Sequence, residues 1–391
     1  MPMRTPLAWR NLVYQKVRTL VALAGVVFAV VLILMQLGFL GSVKATATLL
    51  YDQMDFQVLL TAGEYVSLNH TGKFPEGALV RARSVAGVES AVPVYLDQNL
   101  WRDPDDPSRR WNILVLGFEP ADPVFRTDTG PGAELNGKKI GLYQPDTVLL
   151  DASSRPEFRS RYQTGDREVG ARRELGVIAV TVAGEYTLGT GFSANGMVVA
   201  SRDTFSRSFG GIPTDRPDLG LVRLKPGTDP NTAAESLRGL FPEDVRVWTR
   251  DEVVARERDY WVNSTSVGLF FSMGVAVALL VGVVFVYQVM ASDIANRLPE
   301  FATLKAMGYG PGYIAGVVLQ QAVYLALLGF VPGLLIAWGL YRVTRELAHL
   351  PIAMDPGTAL FVLGLTVVMC SVSGVLALRK VRQADPADLF K

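Results

Sequence analysis

Four stretches of this chain are long enough to cross a bilayer and carry no charged side chain: Leu20–Leu40 (LVALAGVVFAVVLILMQLGFL), Val267–Ala291, Tyr313–Leu340 and Gly357–Leu378. About 30 Å of hydrocarbon takes roughly 20 apolar helical residues to span. A charge at the centre would cost about 3 kcal/mol even on the lenient insertion scale. Any one stretch could be the core helix of a soluble protein, but four together read as transmembrane helices. The first also resembles a signal-peptide core, with Ala45-Thr46-Ala47 as a cleavage pattern. Signal cores run about 7–15 residues, and this run is longer. The whole chain is 49% hydrophobic and 19% charged, against about 25% charged in soluble domains.

Charge then sets the topology. Arg4, Arg10, Lys16 and Arg18 precede the first span with no acid among them. Arg379, Lys380, Arg382 and Lys391 follow the last, against Asp385 and Asp388. By the positive-inside rule both termini face the cytoplasm, and an even number of spans requires the same. Segment 43–265 then lies outside, and its 26 basic and 31 acidic residues leave it at −5.

That outer segment is large enough for a core of its own. Short apolar runs such as Asn112–Phe118, Val177–Val182 and Gly196–Ala200, with Gly, Pro, Asp and Ser between them, predict strands and turns. Helical patterns occupy Pro75–Val85 and Asn231–Leu240, the second announced by Asp229-Pro230. The expected fold is therefore an α-helical membrane domain of four transmembrane helices, with a mixed α+β extracytoplasmic domain inserted between helices 1 and 2.

Both edges of that domain read as helices continuing from the membrane. Ser42–Met54 has a polar face with Lys44, Thr46, Thr48 and Asp52. Arg250–Asn263 carries Asp251, Glu252, Arg256, Glu257, Arg258 and Asp259, and Tyr260 and Trp261 stand where interfacial aromatics are favoured. They can form a stalk, with Lys44, Asp52, Asp251, Arg256, Tyr260 and Trp261 as its candidate residues, or be solvated helices with no mechanical role.

Catalytic and metal chemistry finds little footing. The single cysteine, Cys370, and the two histidines, His70 and His349, lie in separate segments, so no zinc or haem set is expected. Gly132–Lys139 (GAELNGKK) is one residue short of a phosphate-binding loop and ends in Lys139 where Ser or Thr must ligate magnesium; it reads as a surface turn. Gly189–Gly196 (GTGFSANG) lacks dinucleotide spacing and also reads as a turn. Asp105-Asp106, near Arg109 and Arg110, read as solvated. Inside the spans, Gln36, Gln288, Gln320 and Gln321 suit interhelical hydrogen bonds, and Gly329 and Gly333 around Pro332 suggest close helix packing or a kink.

The loop Ser292–Pro311 (SDIANRLPEFATLKAMGYGP) is the most informative segment. Pro299 fits a first helical position, Glu300 favours the positive helix end, and Gly308 can end the helix. Phe301, Leu304 and Met307 form an apolar stripe with Lys305 facing elsewhere. Such a helix can fill a groove on a partner or lie along the membrane as a connector, and the pattern leaves both open. Thr5–Arg18 is amphipathic around Leu7, Leu12, Val13 and Val17, with Trp9 as an interface anchor, and is expected to lie in the inner leaflet.

Glu300–Gly308 (EFATLKAMG) resembles the cytoplasmic motif of the FtsX/MacB-type (type VII) ABC transporter permeases. Leu7-Ala8-Trp9-Arg10-Asn11-Leu12 with Lys16-Val17-Arg18-Thr19-Leu20 resembles that family's opening, and Arg382–Leu389 (RQADPADL) its closing segment. The likeness extends to the order of spans, and Phe301–Tyr309 with Leu188-Gly189-Thr190-Gly191-Phe192 is most similar to the DevC subgroup.

The resemblance implies a permease subunit that binds no cofactor itself. It implies an ABC ATPase as a separate subunit, a second copy of the chain as a homodimer, and Pro299, Glu300, Phe301, Leu304, Lys305, Met307 and Gly308 as the ATPase-coupling residues. ATP-driven motion would pass through the stalks to the outer domain and drive export of a lipid-like or hydrophobic substrate such as a glycolipid. The DevC likeness adds a membrane-fusion adaptor and an outer-membrane channel; membrane lipid is a further partner and nucleic acid is not one. The alternatives are an FtsX-like subunit that signals to a periplasmic partner, and a lipoprotein-releasing permease. A stand-alone receptor or membrane enzyme is a more distant reading.

The expected division is 1–18 amphipathic helix, 19–42 first span, 43–265 outer domain, 266–291 second span, 292–312 coupling loop, 313–340 third span, 341–356 short outer loop, 357–378 fourth span and 379–391 cytoplasmic tail, in an inner membrane.

Overall fold

The computed structural model describes residues 16–128, 130–160, 168–189, 195–241, 244–296, 300, 303, 307, 310–348 and 351–383. They form two compact units: residues up to Ser42 with those from Ser266 on, and Val43–Thr265.

The first helix, α1 (Lys16–Ala47), begins before the first apolar run and ends after it. The sequence suggests an unbroken helix to Met54, but the chain turns at Thr48 and resumes as α2 (Leu49–Gln53). Thr48 is fully buried, and its hydroxyl donates to Asp52 at 3.2 Å. Thr46 is buried as well, so the proposed polar face is solvated only at Lys44 and Asp52.

The inserted domain is mixed α+β. Its strands are β1 (Val58–Ala62), β2 (Val88–Arg102), β3 (Arg110–Phe118), β4 (Thr147–Asp151), β5 (Arg172–Leu175), β6 (Ile178–Tyr186), β7 (Met197–Ser201), β8 (Leu219–Leu224) and β9 (Val245–Thr249). They hydrogen-bond in the order β3-β7-β4-β6-β5-β2-β8-β1-β9, and β2 pairs with β3 as well. The first part of β2 pairs with β8 and its second part with β3, so one long strand serves both halves of the domain. The β3–β7 and β4–β6 pairs are parallel.

Five helices follow α2 in this domain: α3 (Gly77–Arg83), α4 (Gly130–Lys138), α5 (Arg202–Ser208), α6 (Pro230–Arg238) and α7 (Arg250–Asp259). Asp229 caps α6 through the Thr232 N–H at 2.9 Å, with Pro230 at its first turn. Thr249 and Glu252 close a reciprocal capping box on α7, which satisfies two of the helix's orphan donors. Gly132–Lys139, read from sequence as a surface turn, instead lies largely within α4. Lys138 there is bound to Glu134 at 2.7 Å, an i,i+4 pair that supports a helix.

β1 shows why an unbroken apolar run folds this way. All five of its residues are buried. Val58 and Leu60 join Ala78, Leu79 and Ala82 of α3 and Ala233, Ala234 and Leu237 of α6, while Leu59 joins Tyr51, Phe56, Tyr65 and Val253. Each such side chain contributes about 1.5–3 kcal/mol on burial. The other half of the domain has a separate core around Trp101, Phe158 and Phe205.

The second unit adds α8 (Ser266–Asn296), α9 (Pro311–Ala348) and α10 (Pro356–Gln383) to α1. These four helices are long and apolar enough to cross a membrane. Val26, Val30 and Ile33 pack with Val286, Met290, Ala322, Leu325 and Met369. Leu269, Phe270, Met273, Val277 and Leu280 of α8 are more than half exposed, a face that a water-soluble protein would cover.

The helices outrun the apolar runs. α8 continues past Ala291 to Asn296, and α9 past Leu340 to Ala348, so the expected loops beginning at 292 and 341 begin later. In α9 the extension is anchored by Tyr341, whose hydroxyl donates to the Leu34 carbonyl, and by Arg342 stacked 4.5 Å from the Trp338 ring centroid. α10 likewise runs beyond Leu378, into the segment assigned to the tail. α9 also passes through Pro332 as one helix.

Candidate functional site

Of the loop residues, the structure describes Glu300 and Thr303, both exposed and helical, and Met307, exposed in a turn whose N–H donates to the Thr303 carbonyl at 3.0 Å. Pro299, Phe301, Leu304, Lys305 and Gly308 lie outside the described residues, as do residues 190–194 and most of Thr5–Arg18 and of Arg382–Leu389.

At the base of the loop a polar contact stands out that the sequence reading passed over. Asp293 falls in the loop expected from Ser292 on, yet it lies within α8 and is only 7% exposed. Gln321 of α9 donates to it through Nε2 at 2.8 Å. An acid and an amide one helix apart satisfy each other where neither could be left alone cheaply. Of the other intramembrane glutamines, Gln36 lies against Gly274, where a Cβ would come within 2.4 Å of its side chain.

Five of the six stalk residues fall into two groups, and the sixth, Tyr260, sets its ring edge-on to that of Trp261. Lys44, Asp52 and Asp251 are exposed. Arg256 and Trp261 instead take part in a buried cluster centred on Glu257. Glu257 is 1% exposed. It accepts from the Tyr65 hydroxyl at 2.8 Å, the Leu68 N–H at 3.1 Å and Trp261 Nε1 at 3.2 Å. The Tyr65 hydroxyl also lies 2.6 Å from that of Tyr51, on α2. Arg256 donates to the Tyr65 carbonyl at 3.2 Å and lies over the Trp248 ring. Burial pushes the Glu257 carboxyl up to about 7 and raises both tyrosines well above their ordinary value.

Arg250, the first residue of α7, binds the chain between α2 and β1. Its guanidinium donates to the carbonyls of Met54 at 3.1 Å, Phe56 at 3.0 Å and Tyr51, and stacks on the Phe56 ring. After α7 the chain makes a π-helical turn, Tyr260–Ser264, before α8. Such turns recur at functional positions in helices. Nothing local in the sequence joins Tyr65 and Leu68 to an acid nearly 200 residues away.

A second buried acid, Asp218, accepts from Thr71 Oγ1 at 2.9 Å and the Leu96 N–H at 3.0 Å. Burial pushes its carboxyl up to about 6. A folded value above the unfolded one means that the stability contribution is present at low pH and lost as pH rises through about 6. Asp218→Asn should therefore gain stability relative to the native chain between about pH 4 and pH 7, by about 3 kcal/mol at most. Thermal unfolding of the full chain in detergent across that range checks it, and an unchanged difference between the two proteins would refute the assignment.

Among the described residues no three His, Cys, Asp or Glu side chains gather where a metal ion could be held.

Residues 19–240 match the MacB-like periplasmic core domain, and residues 272–386 match the FtsX-like permease C-terminal domain. An uncharacterised ABC transporter permease from Mycobacterium tuberculosis is 25% identical over 396 residues, covering 98% of both chains. The macrolide export ATP-binding/permease protein MacB of Chromobacterium violaceum is 23% identical over 256 residues, which is 63% of this chain and 38% of that protein. The crystal structure of the periplasmic region of MacB from Actinobacillus actinomycetemcomitans superposes with a TM-score of 0.35 at 11% identity, covering 51% of this chain and 92% of that one.

Proposed function

This chain belongs to the ABC transporter permeases of the MacB/FtsX type, and from that membership we propose that it couples a separate cytoplasmic ATPase to motion of its inserted domain. Family membership implies the ATPase partner. The finer reading is mechanical. Two copies pair in an inner membrane with their termini in the cytoplasm, and each presents the segment 299–308 to one ATPase subunit. Closure of the ATPases on ATP draws the two loops together. The displacement passes along α1 and α8 to the segments that hold the inserted domain, which works on a lipid-like or hydrophobic substrate already outside. A membrane-fusion adaptor and an outer-membrane channel complete the route, as in the DevC-like exporters.

The observation that carries this reading is the position of the loop. α8 runs from Ser266, where the inserted domain ends, to Asn296, a rise of about 45 Å. In chain order the inserted domain precedes the first residue of this apolar helix and the loop follows its last. The Asp293–Gln321 bond ties together the two helices between which the loop hangs.

The test is co-purification of the tagged chain in mild detergent. The native chain should bring an ATP-hydrolysing subunit with it. Leu304→Asp places a charge in the apolar stripe and should lose that subunit while still inserting in the membrane. Normal co-purification of the variant removes the loop from its role, and the absence of any ATPase with the native chain defeats the proposal itself.

A further inference from the structure

The Glu257 cluster joins the two segments through which the inserted domain continues into the spans. Tyr51 stands on α2, directly after α1. Glu257 and Trp261 stand on α7 and the π-helical turn, directly before α8. The tie between them runs Tyr51–Tyr65–Glu257–Trp261, entirely inside the domain. The Trp261 carbonyl in turn accepts from Thr265 Oγ1 at 2.7 Å, so the bond that holds Trp261 also bears on the last turn before the span.

We propose that Glu257 is a positioning residue and a proton-operated clasp: ionised, it locks the helix before the second span to the segment after the first, and protonated, it slackens that tie. The inference rests on the transmission reading above, for which it names the element that sets how firmly motion is passed on.

The chemistry is one proton taken from solvent onto a carboxylate oxygen. A carboxylate only accepts, and here it serves three donors: the Tyr65 hydroxyl, the Leu68 N–H and the indole of Trp261. A carboxylic acid has one O–H to donate and less acceptor capacity. Either a donor loses its partner, or Tyr65 accepts from Glu257 and turns its own proton to Tyr51. In both cases the grip on Trp261 or Leu68 weakens.

The groups that face Glu257 leave it as the exchangeable one. Tyr51 from α2 and Tyr65 from the turn after β1 keep their protons, since burial raises both. Arg256 from α7 donates to the Tyr65 carbonyl, and the indole of Trp261 only donates. Burial brings Glu257 itself to about 7, so the clasp changes state near neutrality.

The experiment uses the full chain, alone and with its ATPase. In infrared difference spectra of the chain in detergent, a protonated-carboxyl band should appear on acidification through neutrality and be missing in Glu257→Gln. With the ATPase bound, the rates of the native chain and Glu257→Gln should be nearly equal at about pH 6. At about pH 8 they should differ by about fivefold, the size of one net hydrogen bond, because glutamine resembles the neutral acid at every pH. Should Glu257→Gln fail to fold, Tyr65→Phe decides: losing a donor to the carboxylate must move the infrared midpoint upward.

An absent band, a midpoint unmoved in Tyr65→Phe, or a rate ratio independent of pH overturns the inference and leaves the permease reading standing. Failure to recover any ATPase strikes that reading instead, and the infrared titration still decides the state of Glu257.

Discussion

Gly329→Leu should leave little of the chain in its native four-helix packing, and Gly333→Leu should do nearly the same. A Cβ built at Gly329 falls 2.5 Å from Val26 Cγ1 and 2.7 Å from Val26 Cβ. At Gly333 it falls 2.8 Å from Val30 Cγ1 and 3.3 Å from the Val27 carbonyl oxygen. Val26 and Val30 are one turn apart on α1 and fully buried, so neither can swing aside. The two glycines are likewise one turn apart on α9, and they receive the valine pair as a groove receives a ridge.

Between apolar helices in lipid, this close approach and its dispersion contacts supply much of the association, because the tails outside are as apolar as the side chains. Leucine would have to push the α1 backbone away. Overpacking ordinarily costs about 1–3 kcal/mol, and here even the first added carbon has no room, so the upper end or beyond applies. Gly339 supplies the control, since a Cβ there meets nothing within 4 Å. Thermal unfolding in detergent should therefore rank Gly339→Leu near the native chain, Gly329→Ala below it, and Gly329→Leu lowest. Equal midpoints for the leucine variants at 329 and 339 would contradict the packing of α1 on α9.

The same glycine pair shows what a sequence makes plain. Small residues four apart in an apolar run mark a close approach, because only a missing side chain permits it. The partner, Val26 and Val30, carries no comparable mark, since valines are what any span contains. The four spans were legible because an uncharged run of that length has one inexpensive environment. Helix α6 was legible because Asp229-Pro230 is a local signal with a local cause.

What stayed hidden was long-range. In Arg250–Asp259 the charged residues succeed one another on every face, and nothing in the order of letters separates buried Glu257 from exposed Glu252. The difference is made by Tyr65, Leu68 and Trp261 arriving as donors. Gly132–Lys139 misled for the opposite reason: its glycines advertise a turn, while Gly132 is buried in a helix, its N–H donating to the Gln53 side chain at 3.1 Å. Helix α8 runs on past Ala291 through buried Asp293, whose partner Gln321 lies 28 residues away and leaves no local mark.

That acid carries the other large expectation. Asp293→Leu should uncouple ATP hydrolysis from the motion of the spans while the chain still inserts. Asp293 lies one turn before the end of α8, and Gln321 lies ten residues into α9, about 15 Å from its start. Their bond at 2.8 Å thus fixes one helix against the other close above the loop, where a displacement of the loop would first be felt.

Leucine at 293 removes the acceptor that the buried Gln321 amide uses, a loss of about 1–3 kcal/mol for a buried donor without its partner. Without that link the loop would move with less pull on the spans. Asp293→Asn keeps a carbonyl oxygen where Gln321 donates, so it should retain most of the coupling. Two measurements separate position from mere stability: thermal unfolding of the chain, and the dependence of the bound ATPase rate on this subunit. Coupling that falls in step with unfolding for both variants would make the pair a simple packing contact. A leucine variant that stays folded but no longer alters the ATPase rate, beside an asparagine variant that still does, is the outcome that a rigid link above the loop requires.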